Sequence, residues 1–170
     1  NKDAGNTATT GVEKKTRRFE GNNDLQALIN GLDLTGQALE NYLYDHIDIP
    51  RCVNLLAANS VVRNIDMHSK NWYIYCDTGR SGEWALLPWD LDLSHGRFWN
   101  AQDTYFDNTL YTDGYVVNST SIRLVSQLFT NPRTRAMILR RIRTLADRFL
   151  QPPPAAGTPE SELYYERRLN

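Results

Sequence analysis

The sequence predicts an α+β fold, mainly helical, with one β-hairpin set among the helices. Three segments carry that expectation. Residues 49–62 are apolar around nearly the whole helical circumference, which marks a helix buried on most sides. Residues 72–87 read as two short strands rich in aromatic and aliphatic side chains, joined by a turn of Asp, Gly and Ser. Beyond Asn131, Ile138, Ile142, Leu145 and Phe149 recur at helical spacing with arginines opposite them.

Taken in order, residues 1–23 are polar, with a basic run from Lys14 to Arg18, and read as a leader or linker with a solvated charged face. Asp24 is placed to cap a short helix carrying Leu25, Leu28 and Ile29 that closes near Gly31. Leu34 to Tyr44 repeats the helical spacing through Leu39, Tyr42 and Leu43. Asp48 stands at an N-cap position with Pro50 in the first turn, so the apolar helix runs from Ile49 to Val62 and is the central one. Arg63 to Asn71 breaks the period and is a loop. Trp72 to Cys76 is a strand, residues 77–82 a turn, and Glu83 to Leu87 the returning strand, stopped by Pro88. Residues 93–118 have no period; a loop of that length inside a domain is usually functional, and the substrate would be read there. Ser119 or Ser121 opens a helix with Ile122, Val125, Leu128 and Phe129, and Asn131-Pro132 caps the next, whose Arg133, Arg140 and Arg143 face solvent. Pro152 to Gly157 is a linker by composition, and Ser161 to Asn170 starts a further helix. The expected domain runs from 24 to 150.

With 170 residues, the chain is long enough for one domain with a real core. Its 41% hydrophobic and 23% charged content is that of a globular chain, and no apolar run approaches a membrane span. A formal net charge of −1 gives no global attraction to nucleic acid. Cys52 falls in the apolar helix and reads as a buried free thiol; its spacing to Cys76 fits no zinc site, and one pair does not decide a disulfide.

The chemistry sits around the hairpin. Asp66 precedes Asn71 by five residues, in a short loop tied at both ends to packed elements. Past the second strand come Asp90 and Asp92, two apart in a segment read as extended, so that their carboxylates project to one side. Two like charges held together call for a cation between them. Phosphoryl transfer needs this set: a carboxylate to orient a hydroxyl, and an amide with carboxylates to hold magnesium on the phosphates. The loop pattern Asp-x-His-x-x-Asn, with His68 at its third position, resembles the catalytic loop of aminoglycoside and choline kinases.

The longer run Asn64-x-Asp66-x-His68-x-Lys70-Asn71-Trp72-Tyr73-x-Tyr75, then Trp84-x-Leu86-x-Pro88-Trp89-Asp90-Leu91-Asp92-x-x-x-Gly96, resembles the spore coat protein CotH family of atypical, secreted or coat-associated protein kinases. The resemblance covers about residues 24–150. It implies the C-terminal lobe of a protein kinase-like fold, with the hairpin carrying metal-binding carboxylates, ATP and Mg2+ as cofactors, and serine or threonine of protein substrates as acceptors. It implies Asp66 as catalytic base and Asn71 and Asp90 as metal ligands, with Asp92 a second candidate ligand. Lys70 or His68 would offset phosphate charge, or else bond within the loop. One departure stands out: no Gly-x-Gly-x-x-Gly occurs, and residues 1–23 are too short and polar for a nucleotide-covering lobe. The expected partner is therefore an N-terminal lobe elsewhere in the same protein, without which this piece should not turn over ATP.

Two other functions compete: a non-catalytic coat or cell-surface binding module on a kinase scaffold, and a metal-dependent phosphohydrolase using the Asp residues with His68 or His95. The latter is weakened by there being only three histidines, with His46 on an ordinary helical pattern. Asn118-Ser119-Thr120 is a glycosylation sequon that matters only in a secretory route. The compartment stays open on the residues alone; the resemblance, through the family's habit of export, tilts it toward an extracytoplasmic one.

Overall fold

The computed structural model describes residues 13–67, 70–97, 121–150 and 155–159. The first half of the expected 152–157 linker, the helix from Ser161, the sequon at Asn118 and nearly all of the 93–118 loop lie outside them. The described elements are α1 (Asn23–Leu32), α2 (Gly36–His46), α3 (Ile49–Val61), a 3-10 turn (Ile65–Met67), β1 (Trp72–Cys76), β2 (Trp84–Pro88), α4 (Arg123–Thr130) and α5 (Pro132–Phe149). The mix of helices with one small antiparallel sheet is the expected α+β class.

The central helix is α3. The Asp48 side chain accepts from the Arg51 amide at 3.0 Å and Pro50 occupies the first turn, which needs no amide donor. Cys52, Leu56 and Ala57 are fully buried, Val53 nearly so, and α3 packs along α5 on one side and β2 on the other. Burying each large aliphatic side chain contributes about 1.5–3 kcal/mol before the entropy of ordering is counted. The largest buried side chains also include Leu28, Leu43, Ile47, Met67, Leu86, Leu128 and Ile138, so every described helix and β2 contribute to one core.

The hairpin pairs Trp72 with Pro88, Ile74 with Leu86 and Cys76 with Trp84. Pro88 takes the last position of the pairing, where a missing amide costs least. The hairpin is tied to the start of α3: Ile47 bridges Trp84, and the Asp48 amide donates to the Trp84 carbonyl at 2.9 Å. The hairpin's other end therefore lies toward the far end of α3, where the Asp66 turn follows.

α5 starts as expected. The Asn131 side chain accepts from the amides of Arg133 and Thr134, and Pro132 is the first helical residue. Arg133, Arg140 and Arg143 are exposed.

Three local expectations need correction. Asn22, not Asp24, occupies the N-cap position of α1; Asp24 lies in the first turn, accepting from the Leu25 amide at 2.8 Å and pairing with Lys14 at 3.1 Å. A carboxylate there is also favoured by the helix dipole. Gly31 does not close α1 but lies inside it, beneath the Tyr42 ring of α2. A Cβ on Gly31 would overlap that ring, so the glycine serves the close approach of two helices. Ser121 does not cap α4: Ile122 stands at the N-cap with no side-chain bond, its own side chain buried in the core.

Candidate functional site

The mount for the site is built at the end of α3. Arg63 turns the chain with φ of 46°, and the Asn64 amide bonds back to the Asn59 carbonyl at 2.8 Å. The Asn59 side chain then grips the following turn at two points. It accepts from Asn64 Nδ2 at 3.3 Å and donates to Met67 Sδ at 2.7 Å, all three side chains being buried. Ile65 and Met67 anchor the 3-10 turn in the core, with Asp66 held between them, only 3% exposed.

Both carboxylate oxygens of Asp66 are engaged. Asn71 Nδ2 donates to Oδ2, and Lys70 Nζ lies 3.8 Å from Oδ1. A carboxylate only accepts, so Asn71 must turn its NH2 toward Asp66, which leaves its amide oxygen for a cation. Asn71 holds φ of 64°, a left-handed conformation that Asn tolerates better than most residues.

The carboxylates after β2 reach the same place by backbone bonds. The Trp89 amide donates to the Asn71 carbonyl at 3.2 Å, and the Trp89 ring packs edge-on against Tyr73 with centroids 5.3 Å apart. Asp90 follows with φ of 57°. The segment 90–92 is therefore not extended, as the alternation argument required; a left-handed turn, not the pleat, sets the direction of Asp90. The two carboxyls nevertheless meet. Asp90 holds its proton above the usual carboxylate range, first because it shares a hydrogen bond with Asp92, then through partial loss of water and the charges of Asp92 and Asp66, with Lys70 pulling the other way. Both carboxylates are exposed among the described residues.

The chain then folds back on the end of α3. The amides of His95 and Gly96 donate to the carbonyls of Val62 at 2.6 Å and Arg63 at 3.1 Å. Carbonyls at the end of a helix otherwise lack partners, so this contact both completes α3 and clamps the turn that carries Asp66. Among the described residues, five non-glycine positions have positive φ, and Arg63, Asn71, Asp90 and His95 are four of them. Such backbone costs on the order of 1–3 kcal/mol per residue and tends to gather at functional sites.

Of the sequence-derived site residues, Asp66, Lys70, Asn71, Asp90 and Asp92 come together; His68 lies outside the described residues. His46 stacks on Tyr42 at 4.4 Å in α2, and His95 contributes its backbone amide. The support from Asn59 was missed in the sequence, although its helical spacing from the buried Cys52 and Leu56 was a signal that separates it from the exposed Asn54. Asn64 and Gly96 stood in the motif without a role; one is the buried brace of the turn, the other the closing clamp, buried with φ of 78°.

Among the described residues, no three His, Cys, Asp or Glu side chains form a group able to hold a metal ion. Two carboxylates and an amide oxygen are the kind of donor set that could hold magnesium brought in on phosphates. The residues able to hold it are Asn71 through Oδ1, Asp90 and Asp92. The family model described as CotH kinase protein matches residues 1–155. No curated protein matches the chain significantly.

Proposed function

Because the chain belongs to the CotH kinase family, we propose that residues 66–92 form the base-and-metal half of a phosphotransfer site that moves the γ-phosphate of ATP to serine or threonine of protein substrates. The observation that carries this reading is the link between the two halves of the motif: Asn71 donates from its side chain to Asp66 and accepts from the Trp89 amide with its carbonyl, beside Asp90 and Asp92. A single residue thereby couples the base to the carboxylates.

In this reading Asp66 accepts the proton of the acceptor hydroxyl while that hydroxyl's oxygen bonds to the γ-phosphorus, and the bond from that phosphorus to the departing ADP oxygen breaks. Bound ATP with magnesium supplies the phosphoryl group and neutralises its charge. Asn71 keeps Asp66 oriented through Nδ2 and offers Oδ1 to the cation, with Asp90 the favoured carboxylate ligand and Asp92 its neighbour. Lys70, 3.8 Å from Asp66, offsets negative charge near the base. His68 keeps its sequence-derived candidacy for phosphate contact. We place these residues in a C-terminal lobe whose nucleotide-covering partner lies elsewhere in the same protein. The test is labelling of protein substrates by the full-length protein with radiolabelled ATP, comparing wild type with Asp66→Ala and Asp90→Ala. Both variants are expected to lose about 100-fold or more, the usual scale for removing a positioned base or metal ligand. Equal labelling by all three would favour a binding module on a kinase scaffold.

A further inference from the structure

The outer faces of α3 and α5 leave a groove of about 380 Å³ between them. Pro50 and Val53, one helical turn apart on α3, supply its apolar lining together with Met137 of α5, which is 40% exposed. Asn54, Arg140, Arg141 and Thr144 add the polar part.

The arginines of α5 show why the groove stands out. There are six, and four are engaged within the described residues. Arg133 pairs with Glu40 at 3.3 Å and Arg143 with Asp147 at 2.8 Å. Arg135 lies 5.2 Å over the Phe129 ring and Arg148 lies 5.3 Å over Phe149. The two guanidiniums without a partner among the described residues are Arg140 and Arg141, and both line the groove. An apolar strip beside two uncommitted guanidiniums is complementary to a peptide segment with apolar side chains and carboxylates, since arginine forks onto carboxylates. A nucleic-acid backbone would call for a longer run of cations and no apolar strip.

The groove starts at the first turn of α3, whereas the Asp66 turn follows its last. Pro50 and Val61 are separated by about 16 Å along the helix axis. The groove and the turn that carries Asp66 therefore belong to opposite ends of α3.

We propose that this groove docks an acidic, apolar segment of the protein substrate, remote from the residue that receives phosphate. The proposal rests on the phosphotransfer reading for its choice of partner, but its test needs no ATP. A fluorescein-labelled decapeptide with a Leu-Ile pair flanked by Glu on each side is titrated with the full chain by fluorescence anisotropy, beside the same peptide with Lys for Glu. The acidic peptide should bind, weaken at least tenfold on Arg140→Glu/Arg141→Glu and on raising salt, and weaken likewise on Met137→Asp; the Lys peptide should not bind. These are exposed positions, and an unchanged circular dichroism melt confirms that the variants remain folded. Absence of binding, equal binding by the charge-reversed variant, or sedimentation showing that the face pairs two copies of the chain would overturn the proposal. Docking retained in a protein that transfers no phosphate would refute the phosphotransfer reading alone.

Discussion

Asn71 offers the sharpest perturbation, because its side chain and its backbone make separable contributions. The side chain donates to a carboxylate that is 3% exposed, and hydrogen bonds to charged groups contribute about 1.5–3 kcal/mol. The backbone holds φ of 64°, which costs an alanine about 1 kcal/mol or more and a glycine almost nothing. Asn71→Gly therefore removes the bond and keeps the conformation free, for an expected loss of about 2 kcal/mol. Asn71→Ala adds the conformational cost and should lose about 3 kcal/mol. Asn71→Asp sets a second carboxylate against Asp66, and its deficit should shrink as pH falls and the pair shares a proton. The assay is urea denaturation of the full chain, followed by tryptophan fluorescence, with the slope compared across variants. An Asn71→Gly chain within about 0.5 kcal/mol of wild type would refute the pairing with Asp66, and an alanine variant no worse than the glycine one would refute the backbone account.

Gly31→Ala should destabilise, since overpacking against the Tyr42 ring outweighs the gain of about 1 kcal/mol in helix propensity. In a Tyr42→Ala background the sign should reverse, and the same sign in both, read from thermal melts, would contradict the packing of α1 on α2. Burial pushes the Cys52 thiol from the ordinary 9.0 up to about 11. The folded chain then binds more protons than the unfolded one between those values, so the stability linked to Cys52 is complete below pH 9 and is lost as pH rises through about 11. Denaturation curves at mildly and strongly alkaline pH should show a steeper fall for wild type than for Cys52→Ala; parallel falls would show that Cys52 is not buried.

Most of this molecule was legible where one side chain acts on its own neighbours. Asp48 and Asn131 declare their helices because caps are local, and Trp72 to Pro88 declares the hairpin because strand composition and turn residues are local. The errors arise where a distant partner decides. Gly31 looked like a helix stop, and only the Tyr42 ring from the next helix explains it. Asp90 and Asp92 looked like a pleated pair, but the bond from Trp89 to Asn71 and a left-handed turn at Asp90 set their directions. The same limit hid the grip of Asn59 on Asn64 and Met67, which depends on how the chain doubles back after α3.

The central claim is that Asp66 serves as the base of a phosphotransfer site. Its most direct test is the single-turnover rate of transfer from γ-labelled ATP to a protein acceptor by the full-length protein carrying Asp66→Asn. That change keeps the size of the side chain and removes its capacity to take a proton. The account predicts a rate about 100-fold to 10,000-fold lower with ATP affinity unchanged; a rate equal to wild type would contradict it.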